Sequence, residues 1–236
     1  MAVRWAVRWA AAVVAVAVLA VTGCTVRVPD PTYTTPPPLP ALEQLKQAPL
    51  SDARVFSAGE DVLAFVTADR NVVCSLTSAR GPHVNLPYEQ NNFGDAANRK
   101  LATVPAAHCE LAVYPAPQTA DIKDDCSGTG LGYLGGTALL TPDRAGYGEC
   151  RSGVTQMEAE YGPQGSHTGP ISRLPVLPEG GNLERNGLRC SAYDAGVACG
   201  NVSGGTAFFV SRDHYELISG GGKKPSTAPS KAPKSP

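Results

Sequence analysis

The chain has little charge, few aromatic residues and no long apolar run. Of its 236 residues only 17% are charged and 6% aromatic, and the formal net charge is −1. A near-neutral chain lacks the electrostatic footprint of a nucleic-acid binder. No apolar stretch reaches the roughly 20 residues a membrane-spanning helix needs, which excludes a multi-pass protein. His-Glu-x-x-His, Gly-x-Ser-x-Gly and Cys-x2-Cys are all missing, and with them the signatures of zinc hydrolases, α/β-hydrolases and zinc knuckles. Neither cofactor nor metal is expected. What is present in quantity is Gly (25), Pro (21) and Cys (7), beside a hydrophobic content of 42%. That content suffices for one ordinary core and excludes a wholly disordered chain.

The N-terminus carries the most specific signal. Arg4 and Arg8 lie in a start without acids, followed by the unbroken run Ala10 to Val21 and then Thr22, Gly23 and Cys24. A basic start, a short apolar segment and small residues at its end form an export signal. The ending Val21-Thr22-Gly23-Cys24 resembles a bacterial lipobox, in which signal peptidase II cuts before a diacylglyceryl-modified cysteine. Ordinary secretion after a small-residue site is the plainer alternative. Cysteine parity favours lipidation: with Cys24 taken as the lipid carrier, Cys74, Cys109, Cys126, Cys150, Cys190 and Cys199 remain. Six is an even set, suited to three disulfides in an oxidising compartment. Two or three acyl chains anchor a protein far more firmly than one.

Four segments follow from composition. Residues 1–23 read as the lipoprotein signal peptide. Residues 24–51 read as a Pro-rich tether, with Pro29, Pro31, Pro36, Pro37, Pro38 and Pro40 favouring extended polyproline II. Within it, Ala41 to Ala48 has the composition of two helical turns, marginal by themselves. Residues 219–236 contain Lys223, Lys224, Lys231 and Lys234 among Gly, Pro, Ser and Thr, and are expected to be disordered. The lysines suit anionic wall polymer or lipid headgroups, with a merely solvated tail as the blander reading. Residues 52–218 form the body, with 12 Lys and Arg against 19 Asp and Glu.

The body is expected to be all-β or nearly so, a small disulfide-stapled sandwich or irregular barrel. Strand candidates are Val62 to Val66, Asn71 to Leu76, Cys109 to Tyr114, Thr137 to Leu140, Leu188 to Tyr193, Val197 to Asn201, Thr206 to Arg212 and His214 to Ile218. Val154 to Tyr161 and Asp95 to Leu101 are the helix candidates. Asp194-Ala195-Gly196 reads as a hairpin loop in which Gly196 supplies positive φ. A loop centred on Asp194-Ala195 sets Cys190 opposite Cys199, close enough for a disulfide. The remaining four cysteines have no pairing from geometry.

Chemical motifs are weak. Gly130-Leu131-Gly132-Tyr133-Leu134-Gly135 satisfies Gly-x-Gly-x-x-Gly but lacks the strand and helix that a dinucleotide fingerprint requires, so a Gly-rich loop is expected. Asp121, Asp124 and Asp125 lack EF-hand spacing and read as a solvated acidic turn. His83, His108, His167 and His214 sit in no catalytic motif. Asn201-Val202-Ser203 is a glycosylation sequon without meaning in a bacterium. Phe209, Tyr215 and Tyr193 gather near the closing strands, where alternation puts Phe208 and Val210 on one face and Phe209 and Ser211 on the other. They are the candidate face for a peptide or glycan, against a plainer reading as core.

Three elements carry a family resemblance. They are Phe65-Val66-Thr67-Ala68-Asp69-Arg70-Asn71-Val72-Val73-Cys74; then Cys109-Glu110-Leu111 with Pro115, Pro117 and Asp125-Cys126; then Gly196-Val197-Ala198-Cys199-Gly200-Asn201 with Phe208, Ser211-Arg212 and Tyr215. The pattern resembles a six-cysteine envelope domain of lipoproteins and secreted proteins from mycobacteria and related actinobacteria. It departs at Gly204-Gly205-Thr206, where that domain has Gly-His-Gly, and at Asn91 to Ala107, which reads as an enlarged loop. The resemblance implies an exported β domain with sequential disulfides, Cys74–Cys109 and Cys126–Cys150, beside Cys190–Cys199. The functional expectation is a non-catalytic binding or structural module, lipid-anchored through Cys24 on the extracytoplasmic face of the cell membrane. Its partner would be an envelope protein, glycan or lipid, and not nucleic acid. The alternatives are a lipid or glycolipid carrier, which needs an apolar cavity, and an envelope hydrolase or an inhibitor of one, which for catalysis needs Ser, His and acid in mutual reach. A solute-binding lipoprotein is disfavoured by a body scarcely large enough for two lobes.

Overall fold

The computed structural model describes residues 40–59, 61–80, 101–220 and 223–227. The signal peptide, Cys24, the tether up to residue 39, His83, Lys231, Lys234 and the helix expected from Asp95 lie outside the described residues. Twelve strands are defined: β1 (Ser57–Gly59), β2 (Val62–Val66), β3 (Val72–Arg80), β4 (Thr103–Leu111), β5 (Gly132–Leu140), β6 (Ala145–Arg151), β7 (Asn182–Arg185), β8 (Leu188–Tyr193), β9 (Gly196–Asn201), β10 (Thr206–Ser211), β11 (Tyr215–Ser219) and β12 (Lys223–Thr227). They form two antiparallel six-stranded meanders, β1-β2-β3-β4-β5-β6 and β12-β11-β10-β9-β8-β7. The sheets pack as a sandwich, with no closed barrel.

Alternation builds the core between them. Phe65, Cys74, Leu76, Cys109, Leu111, Leu140 and Tyr147 point inward from the first sheet, and Leu188, Cys190, Val197, Cys199, Phe208 and Tyr215 from the second. All of these are buried. Burying a large apolar side chain is worth about 1.5–3 kcal/mol, so this layer holds the fold.

Two helices pack on the outside. The first, α1 (Ala41–Gln47), lays Ala41 and Leu45 on Tyr193, Ala198 and Phe209 of the second sheet. A β-carbon at Gly200 would come within 2.7 Å of Leu45 Cδ1, so the bare backbone there is what lets the helix close on the sheet. The fully buried Asn182 donates its amide hydrogens to Leu45 O (3.1 Å) and Ala48 O (3.2 Å), serving the carbonyls a helix end leaves without partners. Packing thus stabilises a helix too short to persist alone. The packed body accordingly reaches back to Ala41, into the segment expected to be tether. The second helix, α2 (Gln156–Tyr161), begins at a capping box in which Thr155 Oγ1 accepts from Glu158 N and Glu158 accepts from Thr155 N.

Several expectations need correction. Thr103–Leu111 is a strand, so part of the supposed enlarged loop pairs with β3. Gly132 to Gly136 also lie in a strand, with a register shift between Leu134 and Ala138. Lys223–Thr227 is not irregular: its backbone pairs with β11, joining Glu216 to Thr227 and Leu217 to Ser226. Pro225 is tolerated there because β12 is an edge strand. In the β8–β9 hairpin the residues at positive φ are Asp194 (52°) and Ala195 (54°), not Gly196. Gly196 instead opens β9, where a β-carbon would strike Val210 O at 2.4 Å and Phe209 Cζ at 2.7 Å.

Candidate functional site

The six body cysteines pair sequentially as Cys74–Cys109, Cys126–Cys150 and Cys190–Cys199. Two of the bridges join directly opposed residues of neighbouring strands, one in each sheet. Cα separations of 4.1 Å match the close, non-hydrogen-bonded positions of an antiparallel ladder. These two bridges face each other across the sandwich, with Cys109 Sγ 3.8 Å from Cys199 Sγ. The third ties the β4–β5 connection to β6, at a Cα separation of 5.6 Å.

The aromatic face expected at Phe209, Tyr215 and Tyr193 is not a surface. Phe209 and Tyr193 lie beneath α1, 3% and 9% exposed, with ring centroids 5.1 Å apart. Tyr215 points the opposite way, into the sandwich, because it pairs with the inward Val210. Its ring stacks on Tyr147 from the other sheet, centroids 3.9 Å apart and planes within 16°. The two hydroxyls hold the β4–β5 connection. Tyr215 Oη donates to Asp121 Oδ2 (2.7 Å) and accepts from Gln118 N (2.7 Å); Tyr147 Oη donates to Pro115 O (2.7 Å) and accepts from Gly136 N (3.2 Å). Burial pushes both phenols well above their ordinary range. Asp121 is therefore a buried acceptor, not part of a solvated turn. Asp124 and Asp125 cap nearby turns by accepting from Cys126 N and Ser127 N.

At one end of the sandwich the β2–β3, β8–β9 and β10–β11 hairpins surround an open polar groove of about 380 Å3, lined by Asp69, Asp194, Ser211, Arg212, Asp213 and His214. Ser211 Oγ lies 3.0 Å from His214 Nδ1. The pair looks like the start of a hydrolytic triad, but its geometry is that of a turn. The same hydroxyl accepts from His214 N (3.3 Å) and donates to His214 O (3.1 Å), three residues on. Asp69 is likewise engaged, accepting from Thr67 Oγ1 and Asn71 N. The hydroxyl thus closes the β10–β11 hairpin, where a nucleophile would face substrate.

Two polar clusters escaped the sequence reading. Arg151 from β6 meets Glu158 of α2 at 2.8 Å, with both side chains largely buried. Arg151 also donates to Gly135 O (2.8 Å), to Tyr114 Oη (3.1 Å) and to Gly153 O. Tyr114 Oη in turn donates to Glu158 Oε1 at 2.7 Å. Glu110 on β4 accepts from Met157 N at 2.9 Å, and burial holds its carboxyl above the usual range. The cluster fastens α2 to the outer face of the first sheet. On that same face His108 stands opposite Ser75 of β3 and Leu139 of β5. Burial lowers its imidazole to about 4, so it is neutral at physiological pH. Of these elements the sequence reading had only the helix candidate Val154 to Tyr161, which the structure shows as Gln156–Tyr161.

Structurally the chain is a two-sheet antiparallel β-sandwich closed by three disulfides. Comparison with protein-family models, with curated proteins and with solved structures returns no match.

Proposed function

We propose that the chain is a lipoprotein of a bacterial cell envelope, held by acyl chains on Cys24, whose β-sandwich serves outside the cytoplasmic membrane as a non-catalytic binding or structural module. One observation carries the reading. All six cysteines of the body are paired, so the seventh is Cys24, behind the lipobox-like Val21-Thr22-Gly23. Three disulfides favour an oxidising compartment. Among the described residues no helix is long and apolar enough to cross a membrane. Membership of the six-cysteine actinobacterial envelope domain is part of the proposal, and rests on the sequence elements named above.

A module fits better than a carrier because the space between the sheets is filled by Phe65, Phe208, Tyr147 and Tyr215, each fully buried. A hydrolase fits less well because the Ser211 hydroxyl is held inside its own turn. The test is detergent phase partitioning of the chain expressed in an actinobacterial host, beside Cys24→Ser. The native chain is expected in the detergent phase and the variant in the aqueous phase or retained as precursor. Equal partitioning of the two would overturn the lipid anchor.

A further inference from the structure

The centre of the sandwich holds two disulfides in contact, and their arrangement has chemical consequences. Cys109 on β4 and Cys199 on β9 belong to different bridges in different sheets, yet their sulfurs are 3.8 Å apart, about van der Waals contact. The Sγ atoms of Cys74, Cys109 and Cys199 all lie within 4.8 Å of one another. Their four half-cystines are at most 1% exposed. Three neighbours on the same inner faces are small, Ala107 and Ala138 in the first sheet and Ala192 in the second, while Phe65 and Phe208 stand opposite Cys74 and Cys199. Small side chains let the strands approach, and β-sandwiches accommodate a bridge between their sheets.

We infer that these two disulfides form a single redox unit in which a thiol generated at one bridge exchanges into the other, producing an inter-sheet Cys109–Cys199 bond. A dithiol reductant opens Cys74–Cys109: it is oxidised to its own disulfide, and two electrons and two protons pass to the two cysteines. Cys109 then attacks Cys199 as the thiolate. The Cys109–Cys199 bond forms, the Cys190–Cys199 bond breaks, and Cys190 leaves as thiolate to take up the proton Cys109 gave up. No net redox change accompanies this second step. The product carries thiols at Cys74 and Cys190, one in each sheet, and a bond that ties the sheets together. Partial reduction therefore converts two bridges within sheets into one bridge between them. A short-lived reducing event is thereby recorded as a change in connectivity, while the core remains cross-linked.

The experiment treats the full chain, natively folded, with one and then several equivalents of dithiothreitol under anaerobic conditions. After acid quench and alkylation, labels and linked peptides are mapped by mass spectrometry. Expected is a species labelled at Cys74 and Cys190 with a linked Cys109–Cys199 peptide, whatever the fate of Cys126–Cys150. Labels confined to native pairs, with no Cys109–Cys199 peptide, would overturn the inference. So would resistance of both central bridges up to the point of unfolding. A second measurement needs no reductant. In Cys74→Ala the lone Cys109 thiol is predicted to exchange, so at least a tenth of the alkylation appears at Cys190. Label at Cys109 alone would refute the exchange.

Discussion

His108 gives the fold a calculable acid sensitivity. Its imidazole is pushed down from the ordinary 6.5 to about 4 by burial, so the folded chain resists a proton that the unfolded chain accepts. Stability from this residue is fully present above pH 6.5, declines as the pH falls, and is lost by pH 4. The interval of about 2.5 units, at 1.36 kcal/mol each, corresponds to about 3 kcal/mol in total, of which about 2 kcal/mol falls between pH 7 and pH 4.5. Glu110, two residues along β4, works in the opposite sense, since its raised carboxyl gains a proton more readily when folded. The decisive quantity is therefore a difference. Urea unfolding of wild type and His108→Gln at pH 7 and pH 4.5 should show the wild type losing about 2 kcal/mol more than the variant over that interval. Equal losses would mean that His108 is solvated in the folded chain, and the reasoning from burial would fail.

Three further predictions concern local structure. Leu45→Ala removes the side chain that seats α1, and should cost about 2–4 kcal/mol and open the segment around Pro49 to limited proteolysis before the sandwich unfolds; unchanged protease resistance would contradict the docking. Ala195→Gly relieves a left-handed alanine at φ 54°, and should raise the urea midpoint by the equivalent of about 0.5–1 kcal/mol once glycine's greater freedom in the unfolded chain is deducted; a lower midpoint would contradict the strain. Trp5 and Trp9 are the only tryptophans, so the mature chain should show tyrosine emission alone, and tryptophan emission would show an uncleaved signal.

Much of the sandwich was legible because its strands obey local rules. Val62–Val66 and Leu188–Tyr193 occupy the residues their apolar content suggested, and the Asp194-Ala195 loop set Cys190 opposite Cys199. Alternation put Phe208 and Val210 on one face, and the structure turns that face inward. The strands missed are those whose own residues carry no clear apolar alternation, although each pairs with its neighbour in sequence. Ala145–Arg151 contains two glycines and gives no strand pattern; Tyr147, stacked on Tyr215 across the sandwich, anchors it. Asn182–Arg185 has a single apolar residue, Leu183, and takes its place by burying it in the core, by pairing with β8 and by the grip of Asn182 on α1. Ala41–Gln47, expected as two marginal helical turns, is a helix made stable by packing on Tyr193, Ala198 and Phe209. The same contact explains why the aromatic face misled: outward Phe209 and Tyr193 look available until the helix that covers them is placed. The polar clusters, too, depend on tertiary distances. Arg151 and Glu158 are seven positions apart across a loop, and no spacing rule announces them. The approach of Cys109 to Cys199 depends on how two sheets stack, and no local pattern encodes that.

The proposed lipid-anchored sandwich, with every body cysteine paired, has a definite covalent composition. Its most direct test is the intact mass of the protein extracted gently from its own membrane. The predicted mass begins at Cys24, carries acyl chains and lies six hydrogens below the reduced chain. A chain still beginning at Met1, an unmodified Cys24, or thiols among the other six cysteines would contradict it.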